Sequence, residues 1–319
     1  KGELGDGRSH TIENTRSCYM KPTLTFGGVL SVYEGDHPVY LYESLHTLIH
    51  GQSRKLDACV GVIEGLISQA LEEVVAQFPE IQWVRIPRQV DAPFSFGLPA
   101  ALNHGIDVVG TDVVLKVDTD DVYCEHRVKW TAEAFEAHPD LVLHGGQVIE
   151  WDENFQRPIG DRLVPESHAE ILTYCTWRNP FNGPTVAFKR KEIMELGGFP
   201  VVGANEDYCL WALILEHGYN SSNSPEIYVH WRGGENLVKR RSNPRYRIGE
   251  KQALDYLLHI GLYTRWQYAV HVVTKNLIRR LPLRWNIYIY SLLRSKSPLQ
   301  PAPEELQTAR IHYQQLQTV

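Results

Sequence analysis

The sequence predicts an α/β protein with a mainly parallel sheet covered by helices on both faces. Three observations predict it. From Leu24 to Val117, short apolar runs alternate with segments of helical spacing. Ala58 to Ile63 is apolar throughout, as a strand buried on both faces must be. Acidic residues gather just past the ends of the apolar runs, where open α/β sheets bind their ligands.

The elements follow in order. Leu24 to Val32 reads as a first strand, closed by Tyr33-Glu34-Gly35-Asp36. Val39 to His50 places Leu41, Leu45, Leu48 and Ile49 on one helical face. Ala58 to Ile63 is a second strand ending at Glu64-Gly65, and Gln69 to Phe78 a helix carrying Leu71, Val74, Val75 and Phe78. Ile81 to Ile86 is a third strand, and Leu98 to Ile106 a helix after Gly97. Asp112 to Val117 is a fourth strand, ending in Asp118-Thr119-Asp120-Asp121. Beyond it, Leu141 to Trp151 and Pro184 to Phe188 read as strands, and Arg190 to Leu196 as a helix stopped by Gly197-Gly198. Tyr208 to His217 is a helix that Asn205 can cap, with Glu206 and Asp207 in the first turn.

Composition excludes several classes. The 319 residues are 43% hydrophobic and 22% charged, an ordinary globular balance. The net charge of -6 argues against nucleic-acid binding by the chain as a whole. Five scattered cysteines without a CxxC pair argue against a zinc site or disulfide framework, and favour a reducing compartment. No apolar run is long enough to span a bilayer, and residues 1–22 carry no signal-peptide core.

Four constellations carry chemistry. Asp118-Thr119-Asp120-Asp121 concentrates carboxylates after a buried strand, which suits a hard cation such as Mg²⁺ or Mn²⁺; an Asp-rich turn capping the next helix is the plainer reading. Glu206-Asp207 alone is accounted for by the preference of helix starts for anions. His230 follows a short strand and alone reads as structural. Asn179-Pro180-Phe181-Asn182-Gly183-Pro184-Thr185 builds a fixed polar loop, as fit for a connection as for substrate.

In combination and order these motifs resemble the family 2 inverting glycosyltransferases, of GT-A fold, over Thr23 to Arg240. Ser31-Val32-Tyr33-Glu34 stands at the family's first strand end, and Val62-Ile63-Glu64-Gly65 at its Asp-Asp-Gly-Ser turn. Gly97-Leu98-Pro99-Ala100-Ala101-Leu102-Asn103 matches its Gly-Leu-x-x-Ala-x-Asn helix, Asp118-Thr119-Asp120-Asp121 its DxD motif, and Asn205-Glu206-Asp207 its Glu-Asp motif. Within the family the chain is similar to the capsule and exopolysaccharide branch of amylovoran type, with Gly183 where that branch carries His.

The resemblance implies transfer of a sugar from a nucleotide diphosphate, most simply a UDP-sugar, to a hydroxyl of a surface-glycan or lipid-linked acceptor. It implies Mn²⁺ or Mg²⁺ on Asp120 and His230, with Asp118 near the ribose and Asp121 supporting the loop. Val32, Tyr33, Glu64 and Asn103 would form the nucleotide site, with Glu64 reading the base edge. Asp207 would be the general base, and Glu206, Asn182, Phe181 and Trp211 would meet sugar or acceptor. Arg232, Arg240 and Arg241 would close on the diphosphate. The alternatives are a nucleotidyltransferase that makes nucleotide sugars and a catalytically silent glycan-binding protein. The expected organisation is a polar tail over 1–22, a catalytic domain over 23–245 and a helical, basic, aromatic extension over 246–319. Tyr256 to Pro303 has seven Lys or Arg and no acid, interleaved with Trp and Tyr. That mixture suits an anionic membrane surface, and the expected location is cytoplasmic, on the inner face of the membrane.

Overall fold

The computed structural model describes residues 23–88, 97–233, 243–282, 285 and 301–316. Arg240, Arg241 and the tail over 1–22 lie outside the described residues.

The first half forms as the pattern predicts. Strands β1 (Phe26–Tyr33), β2 (Ala58–Glu64), β3 (Gln82–Ile86) and β4 (Val113–Lys116) pair in parallel in the order β3-β2-β1-β4. Helices α1 (Pro38–Ile49), α2 (Gln69–Val75) and α3 (Gly97–Val109) connect them. Alternate residues of β1 feed opposite faces. Val29 joins the core built with α3, and Leu30 and Val32 join the core built with α1 and α2. The chain leaves β1 toward β2 on one side and returns to β4 on the other. The crevice therefore opens at the carboxyl ends of β1 and β4.

The second half of the sheet is mixed and extends the parallel half. Its strands are β5 (Val122–Tyr123), β6 (Leu141–Trp151), β7 (Pro158–Arg162), β8 (Ala187–Lys189) and β9 (Asn220–Arg232). β8 runs antiparallel between β4 and β6, β9 runs parallel to β6, and β5 pairs antiparallel with β9. The strand expected from Pro184 is shorter, because Gly183–Thr185 turns as a 3₁₀ segment before β8 begins. Asn220–Arg232 opens with polar residues and carries no strand periodicity at its start, yet β6 pairs along most of its length.

Helices α4 (Arg127–Ala137), α5 (His168–Cys175), α6 (Arg190–Glu195) and α7 (Glu206–Glu216) cover this half. Gly197 and Gly198, at φ of 89° and 76°, end α6 as expected. Asn205 does not cap α7 through its side chain. It sits in the left-handed region at φ 59°, and its Oδ1 accepts from the Tyr246 hydroxyl instead. Among the described residues, α8 (Pro244–His259), α9 (Arg265–Arg280) and α10 (Glu304–Leu316) follow. α8 packs on α7, with Ala253, Leu254 and Leu257 in the main core. α10 lies on α1 and buries Leu306 against Val122, Trp151 and Phe155.

Candidate active site

The Asp118-Thr119-Asp120-Asp121 loop leaves β4 and is fixed from several sides. The Ser44 hydroxyl donates to the Asp118 carbonyl at 2.8 Å. The Tyr123 hydroxyl donates to the same carbonyl at 2.7 Å and accepts from the Asp118 N–H at 2.8 Å. Arg232 donates its Nε–H to the Asp120 carbonyl at 2.8 Å and its backbone N–H to Asp121 Oδ1 at 2.9 Å. The Thr119 hydroxyl donates to Asp36 Oδ1 at 3.2 Å, tying the loop to the end of β1.

The carboxylates of this loop are crowded and partly buried. Burial, then the charges of Asp120 and Asp118, push the Asp36 carboxyl up to about 7 against the relief of its hydrogen bonds. The same causes raise Asp121, whose Oδ2 is buried without a hydrogen-bond partner. Lys116, the one cation in an otherwise apolar strand, answers part of that charge. Its ammonium is 6% exposed and pairs with Asp118, and it also feels the charges of Asp207 and Glu206. Lys116 therefore places the end of β4 and the start of α7 in one electrostatic neighbourhood. The chain reading had missed it; a lysine within a buried strand was the available signal.

At the start of α7, Asp207 Oδ2 accepts from the Asn179 amide at 3.3 Å, and its Oδ1 from the Tyr208 N–H at 2.6 Å. A Cβ at position 183 would stand 2.9 Å from Asp207 Oδ2, so Gly183 lets the polar loop approach the carboxylate. Burial, then the Asp207 charge, push the neighbouring Glu206 carboxyl up to about 7.

The other wall is made by the ends of β1 and β2. Tyr33 and Glu64 are adjacent in the β1–β2 register, and Tyr33 is 48% exposed with its ring lying against Gly35. The Glu64 carboxylate lies against the first residue of α3. A Cβ on Gly97 would come within 2.1 Å of Glu64 Oε2, so any side chain there would displace the Glu64 carboxylate. Arg88 pairs with Glu34 at 2.5 Å, within reach of the Glu64 charge. It, too, escaped the chain reading.

Several expected site residues serve the scaffold instead. Trp211 and Phe181 have no exposed surface and pack edge-to-face in the core, with Phe188 and Phe199 against Trp211. Neither presents a ring to a sugar. Val32 is fully buried in β1. Asn103 fastens α3 to the loop after α6, accepting from the Phe199 N–H at 2.7 Å and donating to its carbonyl at 3.0 Å. Asn182 is buried and donates to the carbonyls of Gly146 and Arg162. The Arg232 guanidinium is spent on Glu43 and the Asp120 carbonyl and stacks on Tyr40, so it is not turned to a diphosphate. His230 accepts at Nδ1 from the Trp151 indole N–H at 3.1 Å, and burial lowers its imidazole to about 4. The β5–β9 register sets it opposite Val122, just after the acidic loop, and among the described residues no three His, Cys, Asp or Glu form a ready ligand set.

That geometry still fits a hard divalent cation. Such ions commonly take one or two carboxylates and complete their shell with water and substrate phosphates, without an all-protein cage. Burial, more than charge, raises the carboxyls of Asp36 and Asp121, and the buried Asp121 Oδ2 has no hydrogen-bond partner, so the loop keeps an oxygen acceptor to spare.

The glycosyl transferase family 2 profile matches residues 40–197. The chain is 30% identical over 276 residues to the UDP-Gal:alpha-D-GlcNAc-diphosphoundecaprenol beta-1,3-galactosyltransferase of Escherichia coli, covering 84% of this chain and 96% of that protein. It is 27% identical over 267 residues to the amylovoran biosynthesis glycosyltransferase AmsE of Erwinia amylovora, covering 83% and 97%. The mannosyltransferase PcManGT from Pyrobaculum calidifontis, solved with GDP-Man and Mn²⁺, shares the fold at a TM-score of 0.53 and 17% identity, covering 85% of this chain and 74% of that one. The chain belongs to glycosyl transferase family 2 and is a glycosyltransferase. That membership replaces the nucleotidyltransferase and catalytically silent alternatives.

Proposed function

We propose that this enzyme moves a sugar from a UDP-sugar to a hydroxyl of a lipid-linked glycan, with inversion at the anomeric carbon and with Mn²⁺ or Mg²⁺ present. The observation that carries the reading is Lys116, which pairs with Asp118 and feels the charges of Asp207 and Glu206, while its backbone N–H donates to the Val186 carbonyl just past the polar loop whose Gly183 abuts Asp207. This supports reading a donor-side acidic loop and an acceptor-side carboxylate as one site.

Tyr33 packs against the base and Glu64 accepts from its edge. Asp120, with Asp118 beside it, is placed to hold the cation; when bound, the cation supplies neutralisation of the charge developing on the diphosphate. An acceptor hydroxyl is too weak an acid to attack unaided, so Asp207 takes its proton at Oδ2 while Asn179 orients that carboxylate. Glu206 lies beside it on the acceptor side. A single displacement needs no enzyme nucleophile. The E. coli relative's diphosphoundecaprenol acceptor supports the lipid-linked acceptor.

The same reading places the enzyme on an anionic membrane surface. Among the described residues no helix is long and apolar enough to cross a membrane. α9 nevertheless turns apolar residues outward: Trp266, Val273 and Leu277 are 74%, 56% and 59% exposed. They share one face, and exposed Arg265 and Arg280 stand at the helix ends. Such a stripe suits a lipid headgroup boundary.

Thermal shift against UDP-, GDP- and dTDP-sugars, with and without Mn²⁺, tests the donor and the cation. Stabilisation by UDP-sugars that requires Mn²⁺ supports the reading. Stabilisation undiminished by EDTA removes the cation from it, and retention of configuration in freshly formed product, read by NMR, rejects the single displacement.

A further inference from the structure

Glu43 sits in the middle of α1 with no exposed surface, yet it is a carboxylate. Both of its oxygens are taken by arginines from distant parts of the chain. Arg232, the last residue of β9, donates from Nη2 to Glu43 Oε2 at 2.6 Å. Arg310, in the middle of α10, donates from Nε to Glu43 Oε1 at 2.7 Å. Both arginines also bind the turn after β6, Arg232 at the Glu153 carbonyl and Arg310 at the Asn154 carbonyl.

Arg232 is the residue that grips the acidic loop. It bonds the Asp120 carbonyl and the Asp121 carboxylate, and its guanidinium is wedged between the Tyr40 ring, 3.8 Å away, and the Phe155 ring, 4.5 Å away. A continuous chain of hydrogen bonds thus runs from α10 to the loop: Arg310, Glu43, Arg232, Asp120. Stability alone does not call for it, since buried Arg–Glu–Arg groups are often no more stabilising than apolar residues of the same size. Apolar contact already seats α10, through Leu306 at one end and Tyr313 against Tyr42 at the other. What the ionic chain adds is a fixed position for Arg232, and through it for the Asp120 backbone.

We infer that α10 is a positioning element for the Asp118–Asp121 loop, acting through Arg310, Glu43 and Arg232. The helix over 304–316 is then part of the machinery that aims Asp120, acting through Glu43 and Arg232. This rests on the reading that the loop receives nucleotide and cation, but its first test needs neither.

The test is hydrogen exchange on the intact chain without ligands, comparing wild type with Arg310→Ala. Arg310 is partly exposed, and its loss leaves the buried Arg232–Glu43 pair intact, so the variant should fold. The expected result is faster exchange in peptides covering 117–124 and 230–233, beyond any change in α10 itself. Glu43→Gln keeps the shape and removes the charge that holds both arginines, and should loosen the same peptides further. In steady-state transfer, the half-saturating UDP-sugar and Mn²⁺ concentrations should rise roughly tenfold in Arg310→Ala, the usual size of losing a group that supports a metal ligand. Turnover at saturation should stay within about twofold, because the loop is displaced and not altered. Exchange that quickens only in α10, with 117–124 unchanged, would overturn the inference. So would half-saturation constants that stay at the wild-type values. If no transfer is found with any donor, the proposed function fails while the exchange result still decides the role of α10.

Discussion

Lys116 and Asp118, two residues apart at the end of β4, form an ion pair whose cation is 6% exposed and whose carboxylate is 30% exposed. The same ammonium lowers the carboxyl of Glu206, which burial and the Asp207 charge raise to about 7. Lys116→Met should therefore let that carboxyl rise further. If the acid limb of kcat/KM reports this group, it should fall near pH 7 in the wild type and move to higher pH in the variant. A limb near pH 4 in both proteins would take Glu206 out of the reaction.

Asp207→Asn keeps the shape of the side chain at the start of α7 and removes its capacity to accept a proton. Turnover should fall by at least about 10²-fold, the usual scale of general-base catalysis. Calorimetry should show UDP binding unchanged, because Asp207 lies beside Asn179 and Gly183 on the acceptor side. Substantial turnover in the variant would assign proton acceptance to another group.

Glu64→Gln tests base recognition at the end of β2. The amide can present a donor where the carboxylate only accepts. UDP affinity should fall by about 1 to 3 kcal/mol, the cost of mispairing a buried polar group. An unchanged affinity would move base reading elsewhere along the crevice, with Arg88 the next candidate.

His144, buried in β6, bonds the hydroxyls of Ser222 and Tyr228, and burial lowers its imidazole from 6.5 to about 4. Its native pKa lies below the unfolded one, so the unfolded chain takes up this proton first on acidification. Above pH 6.5 the group costs nothing; between 6.5 and 4 stability falls as pH falls, and below 4 the loss levels off. The total is on the order of 3 kcal/mol. Urea midpoints at pH 7.5 and 4.5 should differ more in the wild type than in His144→Gln, and equal differences would refute the assignment.

For the outer face of α9, vesicle flotation is the direct measurement. Binding should require anionic lipid and weaken with salt, since each basic residue near such a surface contributes about 1 kcal/mol. Replacing Trp266, Val273 and Leu277 together by Ser should abolish it without changing the unfolding midpoint, because all three side chains are exposed. A triple variant that still floats would place the contact elsewhere.

The alternation of strands and helices through β4, the acidic loop after that strand and the acidic pair opening α7 are legible in the chain alone. These are local signals: periods of 2 and 3.6 residues, and charge placed at element ends, survive in any stretch of chain long enough to show them. Tertiary structure decided which polar and aromatic residues face the crevice. Trp211 and Phe181 looked fit to hold a sugar, but an aromatic ring has the same composition in a core as in a pocket, and here the core took both. Arg232 and His230 were expected at the diphosphate and the metal, yet β9 pairs with β6 and β5 in a register that commits one to Glu43 and the other to Trp151. Lys116 meets the charges of Glu206 and Asp207, distant in sequence, only in the folded chain. The contact between Arg310 and Glu43 spans 267 residues, and no periodicity in the chain encodes a pairing at that distance; it exists because α10 returns to pack on α1.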